Sequence, residues 1–130
     1  YAMKHLGPGV RIVGVIPEGS AVYAASRAAG KLVTLDSCAS IADAVVRKTG
    51  EPYLYPYIEE YVDDIVIVSE DELRKAIKLA CLYAKLTLEG AASLALAAVT
   101  SGKCALTEQT VLLCSGGNID GSVLLSCLQG

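Results

Sequence analysis

Four consecutive residues near the end of the chain are the clearest candidates for chemistry. Ser115-Gly116-Gly117-Asn118 follows the apolar run Gln109–Cys114 and precedes Ile119–Leu128, which has a helical composition. Two adjacent glycines permit positive φ angles and let a ligand approach the backbone closely, while the serine offers a hydroxyl. Taken alone, such a motif more often marks a tight strand-to-helix turn. It lacks the lysine that a phosphate-binding P-loop requires.

Glu89 is the second candidate, because it interrupts the very apolar stretch 86–92. A carboxylate at the start of a helix is favoured by the helix dipole, and this structural role competes with a role in lining a ligand pocket. Asp43 and Glu18 also follow predicted strand ends. For these two acids the helix-dipole role is the favoured interpretation.

The hydrophobic pattern predicts alternating strands and helices to position these residues. The predicted strands are 11–16, 31–35, 64–68 and 109–114, and the predicted helices are 20–29, 40–50, 57–61, 69–87, 89–101 and 119–128. Ser69 and Glu72 have capping-box spacing. Alternation of this kind gives βαβ units and a mostly parallel sheet, with ligands at the carboxyl ends of the strands. We therefore predict an α/β three-layer sandwich, with a sheet of about four strands flanked by helices, as a single domain over 1–130.

Composition excludes several classes of protein. The net charge is −3 and the Lys and Arg residues are dispersed, which argues against binding to nucleic acid or anionic lipid. No apolar run reaches the roughly 18 residues of a membrane span. Five cysteines without a C-x-x-C pair, and one histidine, indicate a cytoplasmic protein without a metal site. Because 53% of the residues are hydrophobic, we expect a surface that meets another domain or a second copy of the chain.

The start of the chain has its own pattern. Tyr1–Leu6 is typical of the end of a helix, and Gly7-Pro8-Gly9 would stop it. A chain that begins with the end of a helix is expected to be part of a longer protein.

Five segments, in chain order, resemble one known family. They are 11–20 (RIVGVIPEGS), 41–45 (IADAV), 66–73 (VIVSEDEL), 88–92 (LEGAA) and 113–120 (LCSGGNID). Together they resemble the threonine dehydratase, serine dehydratase and serine racemase group of fold-type II pyridoxal-phosphate enzymes, over nearly the whole chain. The resemblance implies dehydration and deamination of L-threonine or L-serine by the parent enzyme, with pyridoxal phosphate as its cofactor.

The resemblance also implies roles for individual residues. Ser115 would donate a hydrogen bond to the pyridine nitrogen or accept one from it. A carboxylate in this place would keep that nitrogen protonated, whereas a neutral hydroxyl would not. The floor beneath the ring would be formed by Gly116, Gly117 and Asn118. Glu89 would line the pocket beside the ring, and the backbone at Ala44, where the family usually has glycine, would pass close to the cofactor.

Other parts of the family's site have no counterpart in this chain. The resemblance places the Schiff-base lysine, the proton-transferring serine, the phosphate-binding glycine loop and the small domain outside it, so it implies no catalytic residue here. The chain alone is expected to be inactive and to bind pyridoxal phosphate weakly or not at all. Its expected partners are the missing N-terminal half or small domain and further copies of itself.

Two further expectations concern metals and an alternative role. The family's metal pattern would fall on Ile16, Ser20 and Val22, and because the side chains of Ile16 and Val22 cannot bind a cation, no metal is expected there. The alternative to an enzyme fragment is a free-standing, non-catalytic α/β module with a structural or interaction role.

Overall fold

The computed structural model describes residues 1–7 and 9–130. In chain order its elements are α1 (Ala2–Leu6), β1 (Val13–Pro17), α2 (Val22–Ala29), α3 (Tyr55–Tyr61), β2 (Asp64–Val68), α4 (Glu70–Leu79), α5 (Gly90–Thr100) and α6 (Gly121–Gln129). Short 3-10 turns cover Glu18–Ser20 and Asp43–Val45, and a π-helical turn over Ala80–Ala84 extends α4. The predicted helix at the start of the chain is confirmed as α1. Pro8, in its predicted stop, lies outside the described residues.

The sheet is parallel, as predicted, but smaller than predicted. β1 pairs with β2 in a register that runs from Val13 opposite Asp64 to Pro17 opposite Val68. The α/β fold class, with helices flanking a parallel sheet, is confirmed. The expected count of about four strands is wrong, because the sheet formed by the described residues has two strands.

Two segments predicted as strands do not form strands in the described chain, and in both the reason is the lack of a hydrogen-bonding neighbour. Residues 31–35 contribute only an isolated antiparallel bridge, between Thr34 and Thr49. Residues 109–114 have no ladder partner among the described residues, and the side chains of Val111 and Leu113 are 90% and 78% exposed. An apolar, β-prone run becomes a strand only when another strand satisfies its backbone groups.

The helix predicted over 40–50 is also wrong, apart from the turn Asp43–Val45. Side chains accept hydrogen bonds from backbone N–H groups that a helix over 40–50 would use. The Ile41 N–H donates to a carboxylate oxygen of Glu70, the Ala42 N–H to the Ser40 hydroxyl, and the Arg47 N–H to the Ser20 hydroxyl. Backbone groups that bond to side chains in this way are withdrawn from a helical ladder.

The other helices depart from prediction only at their ends. The segment predicted as 20–29 begins with the Glu18–Ser20 turn, and α2 ends at Gly30 with a φ of +65°. The helix predicted to reach residue 87 ends instead at a left-handed Lys85, and the last helix begins at Gly121 rather than Ile119.

The core lies where α4 packs against α5 and α6. Leu73, Ala76 and Ile77 on α4 are fully buried, with Ala97 of α5 and Cys127 of α6 in the same cluster. The α4 N-terminus has the predicted capping box, since Ser69 Oγ accepts from the Glu72 N–H and Glu72 accepts from the Ser69 N–H. This packing fixes the N-terminal ends of α4 and α5 at the carboxyl end of the sheet, where the candidate residues lie.

Candidate functional site

The loop Ser115–Asn118 is attached to the N-terminal end of α5 through Glu89. One carboxylate oxygen of Glu89, Oε2, accepts from the Asn118 N–H at 3.1 Å, and the Glu89 N–H points to the Gly116 carbonyl at 3.4 Å. Gly116 has a φ of +85°, and a Cβ there would lie 2.7 Å from the Glu89 carboxyl carbon. Glu89 and the loop therefore form one packed unit.

Gly117, like Gly116, has no room for a side chain. A Cβ at Gly117 would lie 2.7 Å from the backbone carbonyl oxygen of Thr87. Gly117 is therefore required by contact with the backbone of Thr87, whereas at Gly116 the positive φ favours glycine and the close contact is with the end of the flexible Glu89 side chain. The sequence motif indicates a close approach at this loop but not which group approaches it.

Ser115 is exposed, and its hydroxyl has no hydrogen-bond partner among residues 1–7 and 9–130. The following helix, α6, is capped by another residue. Asp120 Oδ1 accepts from the Ser122 N–H at 2.7 Å and from the Ser122 hydroxyl, and these bonds hold the pKa of Asp120 below its ordinary value. The Ser115 hydroxyl is therefore available to a ligand, and it is Asp120 that caps α6.

A cleft of about 480 Å³ opens beside Glu89. It is bounded by the segment 39–43, by the start of α5 and by residues 118–123. Four carboxylates line it, those of Asp43, Glu70, Glu89 and Asp120, and its lining residues include no lysine, arginine or histidine. The cleft is therefore matched to a neutral or cationic group rather than to an anion.

The structure brings together most, but not all, of the residues predicted from the sequence. Glu89 and Asn118 line the cleft, and Gly116 and Gly117 pack behind them. Ala44 lies in the exposed turn Asp43–Val45, which packs against α5, and its N–H donates to its neighbour Asp43.

Two cleft residues were not singled out by sequence reasoning. Asp120 could have been recognised as an N-cap, because it stands just before α6. Glu70 was visible only as one acid in the run Glu70-Asp71-Glu72, so its contact with Ile41 had no sequence signal.

Comparison with known proteins decides the family. The family model described as "Pyridoxal-phosphate dependent enzyme" matches residues 1–116 of the chain. The chain belongs to this family.

Individual relatives show which group of this family the chain is most similar to. The catabolic L-threonine dehydratase of Escherichia coli K12 is 38% identical over 122 residues, covering 92% of this chain and 37% of that protein. The serine racemase of Arabidopsis thaliana is 32% identical, covering 92% of this chain and 38% of the racemase. The processed form of threonine deaminase isoform 2 from Solanum lycopersicum, a solved structure, superposes with a TM-score of 0.87 at 28% identity, over 98% of this chain and 38% of that one. The chain thus falls in the fold-type II threonine dehydratase and serine racemase group, and it spans about 37% of the length of its curated relatives.

The residues of the site fit one end of the family's cofactor. A free hydroxyl at Ser115 can donate a hydrogen bond to a pyridine nitrogen, and the paired glycines keep the loop beneath it free of side chains. The phosphate end is not matched, because the residues lining the cleft supply only acidic and neutral groups. Binding of the phosphate therefore requires groups other than these.

Two further observations concern the part of the chain that the structure describes. It contains no group of three or more His, Cys, Asp or Glu residues arranged to hold a metal ion. None of its helices is both long enough and apolar enough to cross a membrane.

Replacing Ser115 with alanine is expected to cost less than about 0.5 kcal/mol of unfolding free energy, because the hydroxyl is exposed and makes no hydrogen bond in the described chain. Asp120→Ala is the matched control and should cost about 1 kcal/mol, since it removes the N-cap of α6. Urea denaturation of both variants measures the difference. Equal losses would contradict a free hydroxyl at Ser115.

Proposed function

We propose that this chain is the C-terminal portion of the large cofactor domain of a pyridoxal-phosphate-dependent L-threonine or L-serine ammonia-lyase. Residues 1–130 would form a single unit of that domain. The observation that carries the proposal is an exposed Ser115 hydroxyl without a partner in the described chain, at the start of a glycine loop held in place by Glu89. The similarity to threonine dehydratases and serine racemases supports it.

In this proposal Ser115 binds the pyridine nitrogen of the cofactor. A neutral hydroxyl does not stabilise a protonated ring nitrogen as a carboxylate would, which limits how strongly the ring withdraws electrons. Pyridoxal phosphate, when bound, supplies the electron sink for removal of the α-proton and loss of the β-hydroxyl group. This chain contributes the position of the ring and the electrostatics around it.

The remaining site residues shape the space around the ring. The glycine backbone of the loop, with Asn118, would form the floor, and Glu89 would line the side of the pocket. The backbone near Ala44 would pass close to the ring from the turn that packs on α5. The four carboxylates of the cleft would favour a cationic group of the substrate over the phosphate of the cofactor.

The proposal includes a partner, namely the remainder of the enzyme with the lysine and the phosphate-binding groups. The apolar side chains of Val111, Leu113 and Leu106 are exposed by 63–90%, and we place the covering partner over this segment. A homo-oligomer of the assembled enzyme is part of the same proposal. Without its partner the chain is expected to have no lyase activity.

The chain alone should therefore bind pyridoxal phosphate no better than at millimolar dissociation constants, which corresponds to roughly −4 kcal/mol. Titration with pyridoxine phosphate measures this without interference, since that analogue lacks the aldehyde that reacts with surface lysines. A specific micromolar site in the isolated chain would contradict the proposal.

The converse experiment is coexpression of the chain with the remaining segment of its enzyme. The complex is expected to show the visible absorption of bound cofactor and to release ammonia from L-threonine or L-serine. Ser115→Ala in the same complex should alter that absorption, while Asp71→Ala, an exposed change on α4, should not. A folded but colourless and inactive complex would favour the non-catalytic module instead.

A further inference from the structure

The carboxylate of Glu70 makes a contact that the helix it belongs to does not require. Glu70 is the first residue of α4, and the N-terminus of α4 is already capped by the reciprocal bonds of Ser69 and Glu72. The Glu70 side chain instead reaches a residue 29 positions earlier, where its Oε2 accepts from the Ile41 N–H at 3.0 Å. Its other oxygen, Oε1, is buried and has no partner within the described chain.

The observed contact of the Glu70 carboxylate is its bond to the loop, since its second oxygen gains no hydrogen bond within the described chain. Burying a carboxylate oxygen without a hydrogen bond costs free energy. The cost is offset on the other oxygen by a charge-assisted bond to a backbone N–H. The Glu70 N–H also donates to Glu18 Oε1 at 3.3 Å, which ties the start of α4 to the end of β1.

The Ile41 peptide is held from the opposite side by α5. A Cβ at Gly90 would overlap the Ile41 carbonyl oxygen and would lie 2.7 Å from the Cα and N atoms of Ala42. Ala42 is completely buried. The backbone at residues 41–42 is thus clamped between the Glu70 carboxylate and the first residue of α5.

This clamp determines the shape of the cleft. Ser40, Ile41 and Asp43 form one wall of the cleft, and Glu89 with Gly90 forms the adjoining surface. Ala44 follows two residues after the clamped backbone, within the turn Asp43–Val45. A change in the Glu70 contact would therefore move this wall and the turn relative to Glu89.

We propose that Glu70 is a positioning residue of the cleft beside Glu89, which holds the loop Ser40–Ala44 against the start of α5 through the Ile41 N–H. This inference rests on the proposed function, because it assigns the loop to the wall beside the cofactor ring. In this role Glu70 acts through the position of the Ile41 backbone. A purely structural first-turn acid would act through the helix dipole, and Asp71 would then act in the same way.

The experiment uses the 130-residue chain with two readouts, amide hydrogen exchange and backbone NMR shifts during titration with pyridoxine phosphate. In Glu70→Ala we expect exchange of the 41–44 amides to rise about tenfold, the effect of losing one hydrogen bond to a charged acceptor. Shifts of residues 42–44 on titration should disappear, while those of residues 115–118 remain. Glu70→Gln keeps a carbonyl oxygen for Ile41 and should preserve both readouts.

Asp71→Ala is the matched control, because Asp71 is an exposed acid in the same helical turn without a contact to the loop in the described residues. It should leave both readouts unchanged. Equal effects of Glu70→Ala and Asp71→Ala, or a uniform rise in exchange over the whole chain, would overturn the positioning role. If the ligand shifts residues 115–118 of the unaltered chain but not residues 42–44, the loop does not border the cofactor and the positioning role is overturned while the proposed function stands. The exchange data still decide separately whether Glu70 holds the loop.

Discussion

Gly90→Ala is expected to destabilise the protein by about 3 kcal/mol or more, the upper range for overpacking a buried site. The added methyl group would overlap the Ile41 carbonyl oxygen and would lie 2.7 Å from two backbone atoms of Ala42. Because all three contacts are with backbone, no side-chain rotation relieves them. The loop 40–44 would have to move away from α5, and the cleft would lose its wall.

Gly121→Ala is the matched control for this variant. Gly121 is also the first residue of a helix, α6, but a Cβ there meets no atom of residues 1–7 and 9–130 within 4 Å. Alanine at Gly121 should be neutral or stabilise the protein by up to about 1 kcal/mol, since it reduces the freedom of the unfolded chain. Denaturant unfolding of both variants gives the comparison. A Gly90→Ala variant as stable as Gly121→Ala would show that the loop does not lie against α5 as described.

Gly116→Ala is expected to cost about 2 kcal/mol, from two separable causes. A φ of +85° strains any residue with a Cβ by roughly 1 kcal/mol. The new methyl group would also lie 2.7 Å from the Glu89 carboxyl carbon, so Glu89 must withdraw and release the Asn118 N–H. Losing that charge-assisted bond adds about 1 kcal/mol or more.

Gly102→Ala separates the two causes, because Gly102 has a similar φ of +74° and a Cβ there would meet no atom of the described chain within 4 Å. Gly102→Ala should lower the free energy of unfolding only by the cost of the backbone strain. In a Glu89→Ala background the cost of Gly116→Ala should fall to that of Gly102→Ala, since the steric conflict is gone. Thermal or urea unfolding of the four variants checks this, and identical costs for Gly116→Ala and Gly102→Ala in the unaltered protein would contradict the contact with Glu89.

Local signals in the sequence predicted much of this fold correctly. The continuous apolar run 64–68 is a strand, the Ser69 and Glu72 spacing is a capping box, and the Ala-rich run after Glu89 is a helix with a largely buried surface. These features depend on residues within one or two turns of each other, so their physical cause is visible in the sequence. The family resemblance, carried by short motifs in order, was likewise confirmed.

The predictions that depended on distant partners were the ones that failed. Residues 31–35 and 109–114 have strand composition, but a strand requires a neighbour, and composition does not say whether one is present. Residues 40–50 have a helical start, but the Ser20 hydroxyl and the Glu70 carboxylate take up their backbone N–H groups from elsewhere in the chain.

The features of the candidate site also fall into two groups, those that the sequence indicated and those that depend on distant partners. The sequence alone indicated that Ser115, its glycines and Glu89 were unusual, because a hydroxyl, paired glycines and an isolated acid stand out from their apolar surroundings. Only the tertiary structure decided that Glu89 accepts from the Asn118 N–H and that Glu70 accepts from the Ile41 N–H. Each of these bonds joins residues 29 positions apart, and a single hydrogen bond between the end of a helix and a distant loop leaves no periodic pattern in the sequence.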